Sequence, residues 1–106
     1  MIEAVYYRKD NRLTVTGHAG SAEPGKDLVC ASVSMLVYAL AANVANMADN
    51  GQVRQPLIKT EAGNAEICCV PRRDLKASVM LVFDSVCIGF ALLACHKPEY
   101  IKYEIR

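Results

Sequence analysis

The run Gly17-His18-Ala19-Gly20-Ser21-Ala22-Glu23-Pro24-Gly25-Lys26-Asp27-Leu28-Val29-Cys30-Ala31-Ser32-Val33-Ser34 holds the transition that decides the fold. A strand-like alternation ends at His18, a short glycine-bearing loop follows, and a helical pattern then begins. Asp27 is a favoured N-cap type, which predicts Leu28, Val29 and Cys30 as the first helical positions. From Val33, apolar residues recur at Leu36, Val37, Leu40, Val44 and Met47, the stripe of a buried helix face. The spacing predicts a helix over residues 28–48, stopped by Asn50-Gly51. At 1.5 Å rise per residue it spans roughly 30 Å, the width of a small domain. Its alanines, Ala31, Ala39, Ala41, Ala42, Ala45 and Ala48, permit close approach of a partner element.

Upstream, Ile2, Ala4 and Tyr6 alternate with Glu3, Val5 and Tyr7, and Lys9-Asp10-Asn11-Arg12 is a polar turn. Leu13 and Val15 then oppose Thr14, Thr16 and His18, so the pair reads as a hairpin with His18 leaving on the polar side. Downstream, residues 52–55 read as a connector and Pro56 as the opening of a strand. Residues 57–61 and 65–70 read as a second hairpin around Ala62-Gly63-Asn64. Pro71-Arg72-Arg73-Asp74 marks a break and the next helix start. Val79, Val82, Phe83, Val86, Cys87, Phe90 and Ala94 have helical spacing. Met80, Leu81 and Ile88 widen that stripe, so this helix is expected to be largely buried. Lys97-Pro98 ends it, and residues 100–105 alternate as a last strand. The order ββαββαβ predicts an α+β, two-layer domain over residues 1–106, a mainly antiparallel sheet covered on one face by two helices.

Composition narrows the function classes. The 106 residues are 53% hydrophobic with a formal net charge of +1, enough for a core and without a clustered basic footprint for nucleic acid. The chain opens Met1-Ile2-Glu3, unlike the basic start and apolar core of a signal peptide. No uncharged apolar run reaches the ~18 residues of a membrane span; the longest candidate, residues 28–48, is interrupted by Ser32, Ser34, Asn43 and Asn46. Five cysteines, an odd number in no disulfide-like spacing, fit a reducing cytosol. Cys68 and Cys69 are adjacent in a strand and point to opposite faces, so they do not jointly ligate a metal. Cys87 and Cys95 read as core thiols. His96 reads as a dipole partner at a helix C-terminus. No metal or other cofactor is expected.

Cys30 and His18 remain. A thiol attacks as thiolate, which a nearby imidazolium and the positive end of a helix both favour. A cysteine in a helix's first turn feels that end, beside free amides able to steady an oxyanion. Asp27 caps the helix or orients His18 as a third triad member does. Ser34, one turn beyond Cys30, can face the same pocket or bond its own helix. Against this stand plain structural roles: most cysteines are small buried hydrophobes, and Gly17, Gly20 and Gly25 serve turns.

The stretch resembles the signature of the ribosomal-processing cysteine proteases called Prp, a bacterial family: Gly-His-Ala, a short loop, then Gly-x-Asp-x-Val-Cys-Ala-x-Val-Ser. Here these are Gly17-His18-Ala19 and Gly25-Lys26-Asp27-Leu28-Val29-Cys30-Ala31-Ser32-Val33-Ser34. The resemblance implies a cysteine endopeptidase that removes the N-terminal extension of large-subunit ribosomal protein twenty-seven, cutting after aromatic residues and before a small one. It implies a catalytic dyad of His18 and Cys30, with Asp27 and Ser34 in support. It also implies a homodimer and a mobile, substrate-binding loop that includes Gly17, Gly20 and Gly25. Family loops often carry an aromatic just before the second glycine, where this chain has Pro24. The alternatives are a non-catalytic, ribosome-associated binding module and, more weakly, a redox sensor using Cys30.

Overall fold

The computed structural model describes residues 1–18 and 24–106, and only the backbone of residues 24–27. The elements run β1 (Ile2–Tyr7), β2 (Arg12–Thr16), α1 (Pro24–Asp49), β3 (Val53–Glu61), β4 (Asn64–Pro71), α2 (Lys76–His96) and β5 (Ile101–Ile105), with 3-10 turns at Arg8–Asp10 and Arg73–Leu75. This is the ββαββαβ order read from the sequence. One sheet holds all five strands in the order β3-β4-β2-β1-β5. The β3–β4, β4–β2 and β2–β1 pairings are antiparallel; β5 lies parallel to β1, with Ile2 opposite Ile101.

Alternation sorts the sheet as expected. Ile2, Ala4, Tyr6, Leu13, Val15, Ala65, Ile67 and Cys69 are buried on the helix-covered face. Against them pack Val29, Val33, Val37, Leu40 and Val44 of α1, and Val79, Phe83, Cys87 and Phe90 of α2. Each buried Val, Leu, Ile or Phe among them contributes roughly 1.5–3 kcal/mol by leaving water. The helices meet closely at Gly89, where an added Cβ would run into the Leu36 side chain.

The structure corrects several boundaries. α1 begins at Pro24, before the expected cap. Proline suits a first helical turn because its missing N–H has no partner to lose there and its φ is already set. Asp27 is therefore not an N-cap: its backbone is already helical. Cys30, six residues beyond Pro24, stands in the second turn rather than the first, past the free amides of the helix start. The expected connector over residues 52–55 is largely strand, since β3 begins at Val53. Pro56 falls in a register shift between Arg54 and Leu57, beside Gln55 at φ +51. An irregular edge strand accommodates a residue that cannot donate.

α2 is not largely buried. Leu81 and Ile88 are 65% and 59% exposed, and Met80 is half-buried. One sheet covers one stripe of a helix, and these residues lie off it. Cys95 is exposed, not a core thiol, because it sits one position past Ala94 and rotates off the same stripe. The expectation that polar residues break the long apolar run also fails. Among the described residues, the helical stretches Leu28–Asp49 and Arg73–His96 are both long and apolar enough to cross a membrane, with mean hydropathies of 2.0 and 2.2. Small polar residues such as Ser32 and Asn43 barely lower such a mean. Only 28% and 22% of these apolar windows are buried, so each helix keeps an uncovered apolar side.

Candidate active site

A cleft of about 290 Å³ opens between the end of β2, the middle of α1 and the β3–β4 turn. His18, Cys30 and Ser34 all line it. Helical spacing explains the α1 side. Val29, Val33 and Val37 are buried against the sheet, and the next column round the helix, Cys30, Ser34 and Tyr38, is exposed. The three share the cleft at successive turns.

His18 comes from the strand side and is held through its backbone. The preceding Gly17 has φ +95, and its N–H donates to the Gly63 carbonyl at 3.0 Å. An added Cβ on Gly17 would strike the Met1 carbonyl oxygen, so glycine is required there for two independent reasons. The Met1 amino group donates to the His18 carbonyl at 2.8 Å. Among the described residues no hydrogen bond joins the imidazole to the thiol. Both line one cleft, and in apo enzymes hydrogen bonds of this kind are often long and tighten only when substrate binds.

The other cysteines are placed differently. Burial pushes the Cys69 thiol up to about 11 and the Cys87 thiol up to about 12, and raises Cys68. Those two buried thiols are the least able to form thiolate near neutral pH. Cys30 is exposed and faces a cleft that also holds an imidazole.

Of the remaining expected site residues, Gly17 lines the cleft and Gly25 falls in the first turn of α1. Gly20 lies outside the described residues, and the Asp27 side chain is likewise not described. Sequence reasoning missed Tyr38, although it continues the i, i+4, i+8 column from Cys30. It also missed the third wall, where Thr60, Glu61, Gly63 and Asn64 bring the β3–β4 turn to the cleft. That turn is legible as a hairpin; its approach to His18 depends on strand order.

Comparison with known proteins bears on the family and the fold. The family model for cysteine protease Prp matches residues 1–102. A crystal structure of SMU.848 from Streptococcus mutans is similar at 29% identity and a TM-score of 0.71, covering 99% of this chain and 93% of that one. The ribosomal processing protease Prp from S. aureus shares the fold in two crystal structures, each covering 99% of this chain and 97% of that one. One has a covalently linked product peptide, at 17% identity and TM-score 0.63. The other has a substrate peptide, at 16% identity and TM-score 0.64. A search of curated proteins finds no match. A five-stranded α+β domain with a cysteine and a histidine in one cleft, matched over nearly its whole length by the family model, belongs to the cysteine protease Prp family.

Proposed function

We propose that this protease processes a ribosomal protein in the cytosol, removing the N-terminal extension of large-subunit ribosomal protein twenty-seven, with Cys30 as nucleophile and His18 as base. The observation that carries the reading is the single cleft shared by His18, Cys30 and Ser34. Family membership supports the peptidase chemistry, and the ribosomal processing role of the S. aureus neighbour supports the substrate class.

The reaction follows from these groups. His18 takes the Cys30 proton, and the thiolate Sγ adds to the scissile carbonyl carbon. As the tetrahedral adduct collapses, the C–N bond breaks and the His18 imidazolium protonates the departing amine. Water then adds to the thioester, His18 takes its proton, and the Cys30 thiol leaves with the proton returned. Because Cys30 stands in the second turn of α1, the helix-start amides are not adjacent to it. The Ser34 hydroxyl and Asn64 amide, both lining the cleft, are the donors we assign to the oxyanion. Tyr38 supplies an aromatic wall suited to the aromatic residues expected before the cut.

A homodimer belongs to the same proposal. Met35 of α1 and Leu92 of α2 are 67% and 55% exposed and line an apolar groove between the helices. A second copy of that face would bury them.

The test is a cleavage assay on ribosomal protein twenty-seven bearing its extension, read by mass spectrometry. Wild type should give a single cut that Cys30→Ala and His18→Ala both abolish. An uncut substrate after long incubation with folded wild type would overturn the proposal.

A further inference from the structure

Gly63 forms the β3–β4 turn with Ala62, between the paired residues Glu61 and Asn64, and has φ +74. Its bare Cα lies against the tip of the His18 ring. A Cβ built there would overlap the imidazole Cε1 and Nε2 and crowd Cδ2 at 3.2 Å. The Gly63 carbonyl also accepts the Gly17 N–H at 3.0 Å, so the turn is tied to the residue before the histidine it touches. A hairpin remote in sequence thus holds the backbone entering His18 and abuts its side chain.

We propose that Gly63 is a positioning residue for the catalytic base: the side-chain-free turn is the surface that sets where the His18 imidazole stands in the cleft. The inference rests on the reading of His18 as base. Any L side chain at residue 63 must displace the ring tip, and a base moved by about 1 Å loses on the order of 10²-fold in rate.

The structure supplies its own control. Gly51 has nearly the same backbone, φ +70, with nothing within 4 Å of an added Cβ. Gly51→Ala therefore reports the cost of positive φ alone, whereas Gly63→Ala adds the collision. Asparagine tolerates this backbone region, so Gly63→Asn and Gly51→Asn keep the comparison open if the alanine variant does not fold.

The four variants, wild type and His18→Ala are compared by thermal melting, by cleavage of a fluorogenic peptide spanning the ribosomal protein's extension, and by the imidazole NMR signals of His18 across pH. Expected are a drop in kcat of about 10²-fold with KM little changed for the residue 63 variants, together with moved His18 signals. The residue 51 variants should keep wild-type kcat and His18 signals at a similar loss of melting temperature. Folded residue 63 variants with unshifted His18 signals and wild-type kcat overturn the inference. Retained activity in His18→Ala overturns the reading of His18 as base instead, so the two failures are distinguishable.

Discussion

Neighbouring positions on α1 have opposite fates: Val29 is sealed against the sheet and Cys30 stands open to the cleft. The helical period makes that division, and the same division sorts the thiols. Cys30 and Cys95 are exposed, while burial pushes Cys69 up to about 11 and Cys87 up to about 12. Iodoacetamide at neutral pH should modify Cys30 first, since it shares its cleft with an imidazole, with Cys95 slower and Cys69 and Cys87 protected until the protein unfolds. Peptide mapping by mass spectrometry checks the order, and His18→Ala should remove the lead of Cys30. Tyr38, exposed at the next turn of the cleft column beyond Ser34, should act on binding. Tyr38→Ala is expected to raise KM several-fold with a smaller effect on kcat, measured with the same peptide substrate. Cys30, His18 and Ser34 were legible because their order along the chain survives folding: strand end, loop, helix face. Gly63 and Asn64 were not, because only strand pairing carries the second hairpin to the first.

At the scale of elements, β1 and α2 are pinned by one carboxylate. Asp84 accepts from the Tyr6 hydroxyl at 2.8 Å and from the Arg8 guanidinium at 3.0 and 2.9 Å. The Arg8 hydrogen bonds hold the Asp84 carboxyl below its ordinary value; burial and the bond to Asp84 raise the Tyr6 phenol. A folded-state value lowered in this way means that the contribution to stability is full above the unfolded carboxyl range and fades as pH falls through the lower folded value. Asp84→Asn should cost about 2 kcal/mol at pH 7, measured by urea unfolding. The difference from wild type should shrink as pH is lowered below about 4. In the core, Phe83→Ala should cost about 3–5 kcal/mol. The elements themselves could be read from periodicity, and their order emerged as expected. The helix start could not: Asp27 is a good cap in isolation, but Pro24 suits a first turn equally well, and local preference does not choose between them. The outer faces of α2 were misread for a related reason. An apolar residue such as Leu81 declares its preference for burial, not whether anything is there to bury it.

Over the whole molecule, two apolar helices lie on one side of a single sheet, and much of their outer surface is left uncovered by the described residues. If a second copy supplies it, Met35→Glu and Leu92→Glu should shift the sedimentation coefficient to that of a monomer and make the melting temperature lower and independent of protein concentration. The closing strand has a different consequence, in time rather than space. β5 pairs with β1, Ile2 opposite Ile101, and Tyr103 stacks on Phe90 with ring centroids 6.3 Å apart. β1 waits for β5, about a hundred residues on, before that edge is filled, and such distant pairings form slowly. Immediately before β1, the Met1 amino group donates to the His18 carbonyl. Chains truncated before residue 101 should therefore leave that edge of β1 open and the neighbouring cleft incompletely held, which limited proteolysis of the truncated chain checks.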